Sequence, residues 1–293
     1  MAAPDAGPTT DASAVLDTGV VADAAHVSPD ASDASESVSE PFALGQYAVL
    51  ARFYGTSSPA GTGWFGEESV ALVDVQRQGS GLTMTWQTCA YRGRVSIPPL
   101  PAIDYAVLRP ETFPVRTLQL TVRGDRFETT GPAALIGYEE LTSCSAEPHP
   151  DRRWLGGNAC ACTGGSIPPT TPSDCRVIDS DGDQEPGFTV QFTGGTENFS
   201  RSRIRDSSQL ISGVIAPDGR HSAQYAANLD NYQLSCAREP CSRGSVQSCP
   251  VAANPARFLK LASRASAWTC AEAVRAVDDS NRLGLGLISA PGC

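Results

Sequence analysis

Lysine is nearly missing from this 293-residue chain: of its 22 basic residues only Lys260 is a lysine, and the other 21 are arginines, a bias of the kind high-GC coding produces. The first forty positions hold no Lys or Arg at all, yet Asp5, Asp11, Asp17, Asp23, Asp30, Asp33, Glu36 and Glu40 fall there. From residue 41 onward 24 acids face 22 bases, so the body is close to neutral and the acidity belongs to the tail. No cluster of positive charge is left to neutralise a row of phosphates, which argues against nucleic acid as a partner. No run of eighteen apolar residues occurs either, so no transmembrane segment is expected. Residues 1 to 30 also lack the basic start and apolar run of a signal peptide.

Catalytic signatures are equally scarce. Three histidines are present, His26, His149 and His221, and there is no Gly-x-Ser-x-Gly elbow, phosphate loop, His-Glu-x-x-His pair or dinucleotide fingerprint. His221 is expected on the surface or rim of a hairpin strand. Ser222, its neighbour, would point to the opposite face, so the two make no catalytic pair. The adjacent acids Glu139-Glu140 and Asp278-Asp279 read as solvated pairs.

What the chain does contain points to an oxidising compartment. Ten cysteines, all between Cys89 and Cys293, form an even set, and five disulfides are the expectation. A thiolate metal site from Cys160 and Cys162 with Cys144 or Cys175, or from Cys236, Cys241 and Cys249, is the rival reading, although the gaps do not suit paired zinc knuckles. Cys270 and Cys293 are the best-placed pair, clipping a helix to the chain end. Export then requires an N-terminus that was removed or that begins further upstream, with a lipid anchor as one means of tethering.

Residues 1–40 are mostly Ala, Asp, Ser, Thr, Pro, Gly and Val, without aromatics, and such a segment buries too little apolar surface to offset its chain entropy. It is expected to be a disordered acidic spacer, tethering a domain or merely solubilising it. From Phe42 the pattern turns to short period-two runs: Tyr47, Val49 and Phe53; Val70 to Val75 before Gln78-Gly79-Ser80-Gly81; Leu82, Met84 and Trp86; Leu118, Leu120 and Val122 before Gly124-Asp125. Further runs at Phe188 to Phe192, Leu210 to Ile215, His221 to Tyr225, Tyr232 to Leu234, Phe258 to Leu261 and Leu283 to Ile288 bring the count to about ten strands. The expected fold is all-β, an antiparallel barrel or sandwich, disulfide-rich, with one short C-terminal helix announced by the capping-box spacing of Thr269 and Glu272. Residues 41–293 read as one β domain; the alternative division is two halves, 41–143 and 176–293, joined by a Cys/Gly/Pro-rich connector over 144–175.

The densest chemical signal is Asp179-Ser180-Asp181-Gly182-Asp183-Gln184-Glu185-Pro186-Gly187, four carboxylates in seven positions. Hard cations need several oxygens converging at once, and Asp179, Asp181, Asp183 and Glu185 are candidate calcium ligands. Asp179, Asp181 and Asp183 match positions one, three and five of an EF-hand count, but glycine stands at four and Val190 at twelve, so the loop is nearer the shorter Asp-x-Asp-Gly-Asp type. A solvated acidic turn is the alternative. Trp64 and Phe65, in a glycine-rich stretch read as an exposed loop, and Trp154 beside Gly156-Gly157 are candidate ligand-binding aromatics; the alternative is that they cap the core.

The run Asp179 to Val190, followed by Arg201-Ser202-Arg203 and the hairpin from Leu210 to Arg220, resembles a pattern in uncharacterised secreted proteins and lipoproteins of myxobacteria, over about forty residues plus the acidic tail. Gln184-Glu185 departs from it, since those relatives favour a small residue or glycine there. The resemblance implies surface export and a β fold, and carries no known activity. The expectation is an exported surface or periplasmic binding protein with a structural calcium loop and an unknown small ligand or cell-surface partner. A secreted hydrolase using carboxylates near that loop, and a purely structural envelope protein, are the competing readings.

Overall fold

Three long strands generate the architecture: β1 (Gly45–Ser57), β2 (Gly63–Gln78) and β3 (Gly81–Ser96) form an antiparallel meander, the last two joined at Gly79, whose φ of 62° suits the tight turn. The structure, a computed structural model, describes residues 42–57, 63–96, 99, 101–140, 169, 171–193, 198–237, 246–248 and 254–279. β1 pairs with β14 (Pro255–Lys260), and the order continues through β11 (Ser222–Ala226), β10 (Gln209–Val214), β6 (Arg126–Thr130) and β5 (Arg116–Arg123). β5 then returns to β3, from Leu82↔Leu120 to Trp86↔Arg116, closing an eight-stranded antiparallel barrel. Of the two expected alternatives, the barrel is the one formed.

β3 is long enough to serve two sheets. Past its pairing with β5, residues Arg92 to Val95 pair with β4 (Ile103–Val107), which begins an outer sheet through β8 (Phe188–Phe192), β9 (Phe199–Asp206) and β12 (Leu229–Cys236). β7 (Ala134–Ile136) adds to β9, and β13 (Val246–Ser248) pairs with the far end of β1. A register shift between Val70 and Ala71 leaves Cys89 as the extra residue of β3 and re-phases the strand between its two roles. Fourteen strands are present among the described residues, against the ten expected. β9 escaped sequence reading because its alternation is Ser against Arg: Ser200 and Ser202 turn inward and are buried, while Arg201, Arg203 and Arg205 take the other face. The predicted strand Leu283 to Ile288 lies outside the described residues.

Tyr47, Val49 and Ala51 of β1, Val73 and Val75 of β2, and Met84 and Trp86 of β3 point into the barrel, where Leu118, Leu120, Phe127, Leu210 and Phe258 complete a packed interior. At roughly 1.5–3 kcal/mol for each large side chain taken from water, this filling is the main source of stability. The opposite faces of the same strands, Ala48, Leu50 and Val70, receive α1 (Cys270–Asp279) through Ala273 and Val277. Its start is the expected capping box: Glu272 Oε2 accepts the Thr269 N–H at 2.8 Å, and Thr269 Oγ1 accepts the Glu272 N–H at 3.4 Å.

The disulfide pairing departs from expectation. Cys270 is bonded to Cys89, 181 residues away, not to Cys293, because α1 lies across the bulge of β3 and brings the two Cα atoms to 4.9 Å. The helix is thus clipped to the barrel wall. Cys175 and Cys236 are also disulfide-bonded, and no cysteine among the described residues is free, which removes both from the rival thiolate sites.

Candidate metal centre

Positive φ at Gly182 (69°) and Gln184 (71°) curls the acidic run back on itself. The Asp179 carboxylate accepts the backbone N–H groups of Gly182 at 2.6 Å, Asp183 at 3.2 Å and Gln184 at 2.8 Å, so one side chain organises the turn that follows it. The start of β8 closes the other side. Thr189 donates its N–H to Asp181 Oδ2 at 2.7 Å and its hydroxyl to Asp183 Oδ2 at 2.7 Å. The loop is also sewn to two distant segments: Thr112 Oγ1 donates to the Ser180 carbonyl at 2.6 Å, and Ser180 Oγ accepts the Gly137 N–H at 2.7 Å. Gly187 (φ 91°) is needed here because a Cβ would stand 2.6 Å from the Ser202 carbonyl.

One carboxylate oxygen from each of Asp179, Asp181 and Asp183 lies within 4.8 Å of the other two. Oxygens across a calcium ion stand about 4.6–5.2 Å apart, twice the usual ligand distance of about 2.3–2.6 Å, so the three can share one ion. Asp181 is fully buried, and its Oδ1 has no hydrogen-bond partner. Burial first, and then the charges of Asp183 and Asp179, push its pKa up to about 7 despite the Thr189 N–H. Such an oxygen is costly unless something positive meets it. Glu185 stands apart: its carboxylate turns to Arg201, 3.7 Å from Nε, and its side chain is half exposed. Sequence reasoning named four ligands, and the fold gathers three.

The expected aromatic platform takes a different form. Trp64 and Phe65 belong to β2 and not to a loop, since Gly63 to Gly66 pairs on both sides, with β1 and β3. Phe65 is buried against Phe53, its ring centroid 5.2 Å away, which is the core-capping role, while Trp64 is half-buried. Trp154 lies outside the described residues. His221 is not a rim histidine: it is buried among Phe42, Tyr47 and Phe258, because the Pro217-Asp218-Gly219 turn folds it back over the barrel end. Glu140 meets Arg205 at 3.4 Å, and Asp278 lies 4.0 Å from Arg92.

Sequence reading missed a second group of buried acids at β2. Glu67 continues the inward phase of Ala71 and Val73, and its carboxyl accepts hydrogen bonds from the hydroxyls of Tyr91 and Tyr105. Burial raises its pKa against the pull of both tyrosines, and burial raises both phenols well above their ordinary value. Glu68, on the opposite face, is held between Arg52 (Nη2 at 2.8 Å) and Arg92 (Nε at 2.9 Å). The available signal was period two itself, which places consecutive glutamates on opposite faces of β2. No family model, curated protein or solved structure matches this chain. Among the described residues no helix is long and apolar enough to cross a membrane.

Proposed function

We propose that this chain is an exported binding protein, at the cell surface or in the periplasm, whose outer sheet is locked by a calcium ion held on Asp179, Asp181 and Asp183. The observation that carries the metal is the buried, unpartnered Oδ1 of Asp181 beside two more carboxylates. Its role is structural: the same loop ties the ends of β8 and β7 and the segment after β4, so filling it fixes those connections together. Disulfide bonding of every described cysteine supports export to an oxidising, calcium-rich compartment, where even a site of about 10⁻⁴–10⁻³ M affinity is occupied. The acidic, aromatic-free first forty residues suit a spacer, with lipid anchoring upstream as its tether.

Thermal unfolding with and without calcium tests this. At 10 mM calcium and an affinity of about 10⁻⁴ M, linkage stabilises by about 2.7 kcal/mol, which EDTA removes. Asp181→Asn keeps an acceptor for Thr189 but withdraws the buried charge. The variant should lose the calcium response and be at least as stable as wild type in EDTA. Wild-type melting that ignores 10 mM calcium, or an Asp181→Asn protein that responds like wild type, sinks the metal site.

A further inference from the structure

On the outward face of β3, β4 and β8 lies a cleft of about 420 Å³, within the size range of small-molecule sites. Cross-strand register explains it. Arg92, Ala106 and Gln191 form one row over the three strands, and Arg94 and Asp104 form the next. Ala106 is the short side chain between two long ones, so the row is hollow at its centre. Thr193 closes one end, its hydroxyl and N–H donating to the Asp104 carbonyl at 3.0 and 2.8 Å.

Both guanidinium groups at this cleft are fixed from behind. Arg94 gives its Nε and Nη2 edge to Asp104, with Nη2 to Oδ2 at 2.9 Å. Arg92 gives the same edge to Glu68, which is 3 % exposed and itself anchored on buried Arg52. A guanidinium has five N–H donors, and a carboxylate fork uses two. The Nη1 groups of Arg92 and Arg94 donate to no described residue, and the two side chains remain 52 % and 38 % exposed, so their free edges are reachable. Local charge is balanced: Arg52, Arg92 and Arg94 stand against Glu68, Asp104 and Asp278. The site therefore exerts little long-range pull on polyanions, and recognition is by short-range, preorganised forks.

We propose that this cleft binds a small ligand bearing one carboxylate among hydroxyls, an acidic sugar of disaccharide size. Arg92 and Arg94 grip the carboxylate, Asp104 and Gln191 meet the hydroxyls, and the ring lies over Ala106. The proposal rests on the binding role inferred above and gives it a ligand class.

Titration of the full chain in calcium with cellobiouronic acid, and with cellobiose as its neutral counterpart, provides the test, followed by NMR shifts at Gly93, Ala106 and Gln191 and by calorimetry. The acidic disaccharide should bind at least tenfold tighter than cellobiose. Ala106→Leu, which fills the hollow without touching a charge, and Arg94→Gln, which leaves Asp104 solvated, should each weaken it at least tenfold while the melting response to calcium stays that of wild type. Equal binding of the two sugars, no binding of either at 10 mM, or undiminished binding by Ala106→Leu overturns the assignment. Those results with an intact calcium response sink the ligand alone, whereas loss of that response in the wild type sinks the reading beneath it.

Discussion

The barrel and the outer sheet meet on the long strand β3, yet the inward faces on either side of that junction differ. In the barrel, β1, β2 and β3 supply Tyr47, Val49, Ala51, Val73, Val75 and Met84, and the interior is apolar. A few residues further along the same faces of β2 and β3 stand Phe65, Glu67 and Tyr91, and with Tyr105 of β4 a carboxyl is buried between phenols. Beyond them the outer sheet is held by polar staples: Arg203 binds the Pro169 carbonyl at 3.1 Å and Asp230 at 2.8 Å, and Arg116 of the barrel strand β5 ties the two regions together through Asp206 at 3.2 Å and the Ser208 carbonyl at 2.7 Å. Alternation decides which side chains face inward. The partner sheet decides whether that interior is oily or hydrogen-bonded. An apolar core tolerates exchange of contacts, whereas buried polar groups cost free energy once one partner is lost.

The largest expected effect strikes the barrel. Phe258 is fully buried, with its ring 5.6 Å from Phe127 and 6.0 Å from Tyr47. Phe258→Ala should cost about 3–5 kcal/mol in urea unfolding, through lost transfer energy and a cavity the closed barrel cannot collapse around. If the two regions are held by separate means, the calcium-dependent increment should survive in this variant. Its disappearance would show that the loop senses the barrel and would blur the comparison.

A smaller change targets the polar interior. Gly93 faces Tyr105 across β3 and β4, and a Cβ there would overlap the Tyr105 ring and sit 2.8 Å from the Gly66 carbonyl. Gly93→Ala should push the ring aside and strip Glu67 of one donor, at a cost of about 1–3 kcal/mol. Ultraviolet titration adds a readout that simple crowding lacks. The displaced phenol should ionise closer to the ordinary tyrosine value, while an unchanged Tyr105 titration would mean that the glycine is there only for close packing.

Much of the barrel was legible because Leu82-Met84-Trp86 and Leu118-Leu120-Val122 alternate plainly, and because Thr269 and Glu272 mark a helix start. Closure was not legible, since nothing in β3 says that Trp86 pairs with β5 while Arg94 pairs with β4. The Cys89–Cys270 pairing followed from that same packing and so could not be read from spacing. At the acidic loop, composition identified the ligand atoms, but the convergence of Asp179, Asp181 and Asp183 depends on Thr189 and on positive φ at Gln184, a residue not suited to it by type. Glu185 looked equivalent in sequence, and Arg201 on a neighbouring strand drew it away. His221 looked exposed because a polar residue beside a turn usually is; here Nδ1 accepts the Ala216 N–H at 3.0 Å, which satisfies it inside the core.

The smallest effect is a difference in pH dependence between the two regions. His221 Nδ1 must be unprotonated to accept from Ala216, so Nε2 carries the hydrogen, 3.4 Å from the Tyr47 hydroxyl. Burial holds its pKa below the ordinary 6.5, and the neighbouring Lys260 adds to that. The unfolded chain therefore takes up a proton that the folded chain resists. His221's contribution is whole above about pH 6.5 and is lost as pH falls, with a slope of at most about 1.4 kcal/mol per pH unit. Glu67 and calcium-free Asp181 have raised pKa values and the opposite sign: their burial is easiest when protonated, so stability falls as pH rises through their folded pKa values. Urea unfolding of wild type and His221→Gln between pH 5 and 7, in saturating calcium, isolates the His221 term, because Glu67 and Asp181 cancel in the difference. The gap between the two proteins should narrow steadily as pH falls from 6.5 to 5. A gap independent of pH would mean that His221 takes up its proton equally in the folded and the unfolded chain, leaving Glu67 and Asp181 as the groups that make this fold sensitive to pH.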